Sequence, residues 1–260
     1  MRVIPPDPNE RNDAMHSFRL SLILLIIAPT LFAQDFNKLE FYGGYSRMRE
    51  KPNIDTFSYS AGGQTQEIPA LCSAETGEII GPNSQTLFCR DRNFGGFDLG
   101  ATYNLTRYFG VTANVTRHSK KQTFIDDFGG IIQTIDVDEH ITSILAGVQV
   151  KDNGGSARFR PFAHALVGST RYTDRQSQTV TGIREASYTA KDSTSNLGGK
   201  IGGGIDIRVT PRIDIRVIEI DYTPFYAKDR HYDSTSGPFA FDVGGKSAQN
   251  YTIGFGIVVH

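Results

Sequence analysis

From Phe94 to Val259 the chain falls repeatedly into two-residue alternation, with apolar positions out of phase with Gly, Thr, Asn and charged residues. In Phe97-Asp98-Leu99-Gly100-Ala101-Thr102-Tyr103-Asn104-Leu105 every odd position is apolar and every even one is polar or glycine. That period belongs to a strand with one face in an apolar medium and the other in a polar one. It predicts eight strands, over residues 39–49, 94–105, 108–118, 140–151, 158–172, 197–209, 212–227 and 251–259. In the seventh the phase slips between Val217 and Ile218, which predicts a β-bulge. In the fifth, Phe162, Leu166 and Val167 do not share one parity, so its facing stays open.

The connections carry a second pattern. Thr106-Arg107, Asp152-Asn153-Gly154-Gly155 and Thr210-Pro211 are tight links after the second, fourth and sixth strands. Polar segments over 50–92, 120–133, 173–194 and 228–245 follow the first, third, fifth and seventh. Antiparallel hairpins therefore put every tight turn at one end and every long loop at the other. Strands of this length with ends so unequal predict an all-β fold, a single eight-stranded antiparallel up-and-down transmembrane β-barrel. A soluble sandwich has shorter strands and more equal ends.

The polar face decides which medium lies where. It carries Gly96, Gly100, Gly110, Gly202, Gly204, Gly254 and Gly256, small residues that suit a narrow, crowded lumen. It also carries Glu40, Asp98, Lys200, Asp206, Arg208 and Arg216. Inside a sealed barrel these charges have to pair, because an unpaired buried charge is costly. The expectation is a lumen polar network that acts as a plug, with the apolar face on lipid. Tyr42, Tyr45, Tyr103, Tyr108, Phe109, Tyr222, Phe225 and Tyr251 near strand ends are the expected aromatic girdle.

Composition narrows the partners. Lys and Arg total 27 against 28 Asp and Glu, so no global field favours nucleic acid. Arg19 precedes the apolar run from Leu20 to Ala28, and Ala33 stands before Gln34. This reads as a signal peptide over 1–33 with translation starting at Met15 and cleavage after Ala33, leaving 34–260 as the barrel domain. The apolar run falls short of the roughly 20 residues of a transmembrane helix. Export across the inner membrane then leads to the bacterial outer membrane, with its lipid and the barrel-assembly machinery as partners and a monomer as the expected state. Cys72 and Cys89 lie in the exported part, with no His or third Cys near them, and are expected to form a disulfide.

Candidate chemistry is thin, so no catalytic, cofactor or metal site is expected. His118-Ser119 and His231-Tyr232-Asp233-Ser234 contain a base beside a hydroxyl, yet adjacent strand residues point to opposite faces. Asp126-Asp127 reads as solvated loop acids, and the six histidines lack metal-ligand spacing. The glycines from Gly198 to Gly204 lack the ending of a phosphate loop. The sequons at Asn104, Asn114 and Asn250 fall in or beside strands and read as coincidence.

Several short motifs occur together in order: Phe94-Gly95-Gly96-Phe97, Tyr103-Asn104-Leu105-Thr106-Arg107-Tyr108-Phe109-Gly110, Pro161-Phe162-Ala163-His164, Gly202-Gly203-Gly204-Ile205-Asp206, and Ile215-Arg216 through Asp221-Tyr222. With them the chain resembles eight-stranded outer-membrane β-barrel proteins of the OmpA and OmpX kind, especially porin-family domains of this size from Acidobacteria-like genomes. The resemblance covers everything after Leu39 and implies a non-enzymatic envelope protein with a structural or surface-interaction role in its long extracellular loops. The alternatives are a narrow pore for small solutes, a lipid-modifying outer-membrane enzyme, and a secreted soluble barrel. The chain departs from that family in ending on His260, where an aromatic assembly signal is common.

Overall fold

The computed structural model describes residues 36–51, 54–61, 64–69, 90–127, 129–154, 157–182, 186–226, 230–233, 239–245 and 247–260. Among them the regular structure is all β. The elements are β1 (Leu39–Glu50), β2 (Ile54–Ala61), β3 (Gln64–Pro69), β4 (Arg92–Asn104), β5 (Phe109–Asp127), β6 (Ile132–Lys151) and β7 (Phe159–Thr181). They continue with β8 (Ala186–Thr210), β9 (Ile213–Tyr222), β10 (Phe225–Tyr226), β11 (Arg230–Asp233), β12 (Phe239–Gly245), β13 (Ser247–Ala248) and β14 (Tyr251–Val259). The expected signal peptide, Met15 and Ala33 included, lies outside the described residues, as do Cys72 and Cys89.

Eight of these strands close into a ring. The antiparallel order β4, β5, β6, β7, β8, β9, β14, β1 returns to β4, with β8 on β9 and β1 on β4 completing the circuit. Closure leaves no unpaired strand edge, the condition for crossing a bilayer with β structure. The alternation resolves as predicted along β1, β4 and β14, whose even positions face inward and odd positions outward. Outward-facing Phe41, Leu99, Ile201, Ile253, Phe255 and Ile257 are each half exposed, an apolar belt that only lipid satisfies.

The bulge falls where the phase slip predicts it. Ile205 pairs with Ile218 and Asp206 with Arg216, so Val217 is the extra residue. Val217 and Ile218 both point outward, which keeps Arg216 and Glu219 buried on either side. In β7 the open facing also resolves: Phe162 and Leu166 point inward and Val167 outward. Thr223-Pro224 interrupts the predicted seventh strand, because Pro224 has no N–H for the ladder. Its carbonyl still accepts from Gly199 N at 2.9 Å, and β10 resumes the pairing with β8.

The polar segments predicted as loops are corrected. Residues 120–127, 132–139, 173–181 and 186–194 are strand, so β5 to β8 run well past the apolar belt, with Gly129, Gly130 and Gly182 among the described residues just beyond the strand ends. Gly129 and Gly182 take positive φ there, +70° and +134°. Beyond the membrane the outward face of a strand meets water, so no apolar phase marks it. The segments after β1 and before β14 also contain strands, which pair as a second sheet in the order β11, β12, β2, β3.

The girdle is corrected as well. Tyr42 and Phe225 lie inside the barrel, 9% and 1% exposed, while Tyr45, Tyr103, Tyr108, Phe109 and Tyr251 face outward. The lumen glycines make the crowding possible. A Cβ on Gly44 or Gly256 would strike the Tyr42 ring, and one on Gly204 would strike the Ile218 carbonyl. Gly204→Val is expected to destabilise the barrel by about 1–3 kcal/mol or block its closure. Gly43→Ala, where a Cβ meets only Leu99 at 3.6 Å, should be neutral. Urea titration followed by the folded-barrel gel shift measures both.

Candidate functional site

Among the described residues, charged side chains from β1, β4, β6, β7, β8 and β9 converge in the lumen. Among the described residues eight carboxylates are buried there: Glu40, Glu50, Asp98, Glu139, Asp206, Asp214, Glu219 and Asp221. The buried Arg and Lys are five, Arg92, Lys151, Arg160, Lys200 and Arg216. The surplus of acid falls beside histidines. His164 lies 2.9 Å from Asp221 and 3.9 Å from Glu219, and His260 lies 3.0 Å from Asp214 and 3.5 Å from Glu40.

The network is stacked in layers. At the tight-turn end Lys151 Nζ meets Glu40 at 3.0 Å and Asp206 at 2.9 Å, and Arg160 meets Asp214 at 3.3 Å. These side chains come from the last residue of β6 and the first turnward positions of β7, which the tight turns bring to one mouth. Above them Arg216 bonds Asp206 at 2.8 Å and Glu219 at 2.7 Å. Its guanidinium is sandwiched between Tyr42 and Phe162, 4.1 and 3.8 Å from the ring centroids. Lys200 then holds three carboxylates, Asp98 at 2.5 Å, Glu219 at 2.8 Å and Asp221 at 3.1 Å. Asn114 donates to Asp98 from the opposite side.

Toward the loops the lumen turns apolar and then charged again. Met48, Phe94 and Ile141 form a buried plug with Tyr172 against it. Over it Arg92 bridges Glu50 at 2.8 Å and Glu139 at 2.5 Å, and the Tyr172 hydroxyl donates to Glu139. Cavities within the lumen include two of about 10 and 20 Å³. Each has room for about one water.

Of the six residues expected in the network, Glu40, Asp98, Lys200, Asp206 and Arg216 are brought together. Arg208 stands at the rim, its side chain 26% exposed and ion-paired at 4.0 Å with Asp214. The alternation does not point to Glu50, Arg92, Glu139 or Lys151, because each stands at or beyond the end of a predicted strand, nor to Arg160, which lies in the strand of open phase. His164 escaped because the phase of its strand was open. Asn104, Asn114 and Asn250 all point into this interior, closed to glycosylation in the folded barrel.

A hydroxyl and a base do meet, at Ser46 Oγ and His118 Nε2, 2.7 Å apart. Both are buried beneath the apolar plug, and His118 Nδ1 has no acid to orient it among the described residues. His118 and Ser119 point to opposite faces. The side chains of Asp126 and of His231 to Asp233 lie outside the described residues. Ligand atoms of His164, Glu219 and Asp221 lie within 4.8 Å of one another, a spacing a metal could use. The Lys200 ammonium already bridges the two carboxylates, so the group has its cation.

A family model described as "Outer membrane protein beta-barrel domain" matches residues 78–260. No curated protein matches the sequence. Among solved structures the chain is similar to Ail, the attachment invasion locus protein of Yersinia pestis, at 14% identity, covering 86% of this chain and 99% of that one with a TM-score of 0.38. It is similar to outer membrane protein OprG from Pseudomonas aeruginosa at 15% identity, covering 87% and 99% with a TM-score of 0.44. It is also similar to the outer membrane protease OmpT from Escherichia coli at 10% identity, covering 86% and 96% with a TM-score of 0.39.

Removing the ammonium at the centre of the network leaves three carboxylates in a dry interior. Lys200→Met is expected to cost about 3–5 kcal/mol, whereas removing the acids with it, in Lys200→Met/Asp98→Asn/Asp221→Asn, recovers most of the loss. Urea unfolding of the two variants beside wild type reads the difference.

Proposed function

We propose a function from one premise: the chain belongs to the outer membrane protein beta-barrel domain family. The barrel is a closed, non-enzymatic anchor in the bacterial outer membrane, and the working part is what stands above the membrane. That part makes contact with surfaces or with other envelope components. The chain reaches its site by export across the inner membrane and insertion by the barrel-assembly machinery, and it works as a monomer.

One observation carries this reading. Among the described residues the lumen is filled by ion pairs and an apolar plug, and the cavities found in it are of about 10 and 20 Å³. A path for solutes would need side chains to leave partners that hold them in a low-dielectric interior. Meanwhile β5 to β8 run on past the apolar belt, and a second sheet stands in the segments that follow β1 and precede β14. Polypeptide is therefore invested on the loop side, where recognition in membrane barrels is carried.

In planar bilayers the purified full chain is expected to show no steady conductance. Steady single-channel currents would replace the anchor with a narrow pore. Replacing residues 54–69 and 230–245 by short turns should leave the folded-barrel gel shift intact and abolish attachment of cells to surfaces. Attachment equal to wild type would sink the surface role, and altered outer-membrane lipid on deletion of the gene would put an enzyme in its place.

A further inference from the structure

The apolar belt ends abruptly on the outward face of β5 to β8. One row of registered neighbours reads Val115, Ile144, Ser169 and Leu197, with Ile144 63% and Leu197 57% exposed. The next row toward the loops reads Arg117, Thr142, Arg171 and Ser195. All four point outward, so a single step along the strands replaces an apolar surface with two arginines and two hydroxyls. The step marks the height at which hydrocarbon gives way to lipid headgroups.

The two arginines stand on either side of Thr142, about 10 Å apart at the backbone, because neighbouring strands are spaced at roughly 4.8 Å. Arg171 Nε donates to Ser193 Oγ at 2.6 Å, which holds its guanidinium along the sheet and leaves its other N–H groups free to donate. Arg117 is exposed and has no carboxylate partner among the described residues. Two rows farther out stand Lys121, Asp138, Arg175 and Lys191. Asp138 is the one acid in these rows, and Lys121 and His140 take it up at 3.3 Å each, while Asp136 one row farther out accepts from Thr123. In these rows five basic side chains therefore face outward against one neutralised carboxylate.

We propose that Arg117, Thr142 and Arg171 form a binding site for the phosphate of an anionic lipid in the outer leaflet. Guanidinium forks match the oxygens of a phosphate, and the threonine hydroxyl between them supplies a further donor. The lipid's chains then lie along Val115, Ile144 and Val167, which continue the site into the apolar belt. A soluble oxyanion has no use for that continuation. Arg47 on β1 is the contrast: it also faces outward, but its registered neighbours are Gly95 and Ile253, which offer neither a hydroxyl nor a second cation.

Native mass spectrometry of the folded full chain, released from a neutral detergent and titrated with phosphatidylglycerol or phosphatidylcholine, tests the site. Wild type should retain phosphatidylglycerol about 30-fold more tightly than Arg117→Gln/Arg171→Gln, and Thr142→Val should lose about fivefold. Arg47→Gln should match wild type, and the folded-barrel gel shift should be unchanged in every variant. Equal retention by wild type and the double variant, an equal loss in Arg47→Gln, or no preference over phosphatidylcholine overturns the site. Displacement of the lipid by an equal concentration of inorganic phosphate overturns the lipid assignment.

Discussion

A ring of strands closed on itself commits every second side chain to a narrow interior, and the rest of the structure follows from that confinement. Water cannot fill such a space, so each charge placed in it needs a partner of opposite sign within reach. Lys200 meets three carboxylates from β4 and β9, Arg216 meets two, and Lys151 joins acids from β1 and β8. Lys200 to Asp98 and Lys151 to Glu40 and Asp206 tie non-adjacent strands across the barrel, while Lys200 to Glu219 and Asp221 and Arg216 to Asp206 lock β8 to β9. The glycines of the inward face are the steric counterpart, since they create the volume that the long charged side chains and the Tyr42 ring occupy.

Much of this was legible in the alternation, because lipid and lumen impose opposite demands at every step of two residues. Where a strand crosses the membrane, as at Phe97 to Leu105, apolar and polar residues separate cleanly and the inward set follows from parity alone. The bulge at Val217 was visible for the same reason, as a change of parity. Parity names the side of the sheet on which a residue lies, but neither its height nor its partner. It therefore grouped Arg208 with Arg216, although one is at the rim and the other at the centre. It also assigned Tyr42 to a girdle by residue type, although its even position already pointed inward.

What the alternation could not reveal lies where its physical cause is missing. Above the membrane the strands β5 to β8 have water where lipid lay outside them, and sequences such as Thr173-Asp174-Arg175-Gln176-Ser177 carry no apolar phase. Those stretches are strand because their neighbours extend the ladder, a tertiary cause that a single segment does not record. The Arg92, Glu50 and Glu139 cluster belongs to the same zone, assembled from three strands whose outer ends have no signature of their own.

The bulge in β9 has a consequence for how the ring can close. A strand of uniform alternation can slide by two residues against its neighbour and still present the same faces, so alternation alone leaves several registers nearly equal. β9 cannot do this, because its parity reverses at one position: Ile213 and Ile215 face outward on one side of the break, Ile218 and Ile220 on the other. Any slide carries the break past the Gly254 to Gly256 step of β14 and the Ile205 to Asp206 step of β8, where the pairing is built to receive it. The extra residue thus works as a notch in a ratchet wheel, and the last seam of the barrel can engage at a single tooth.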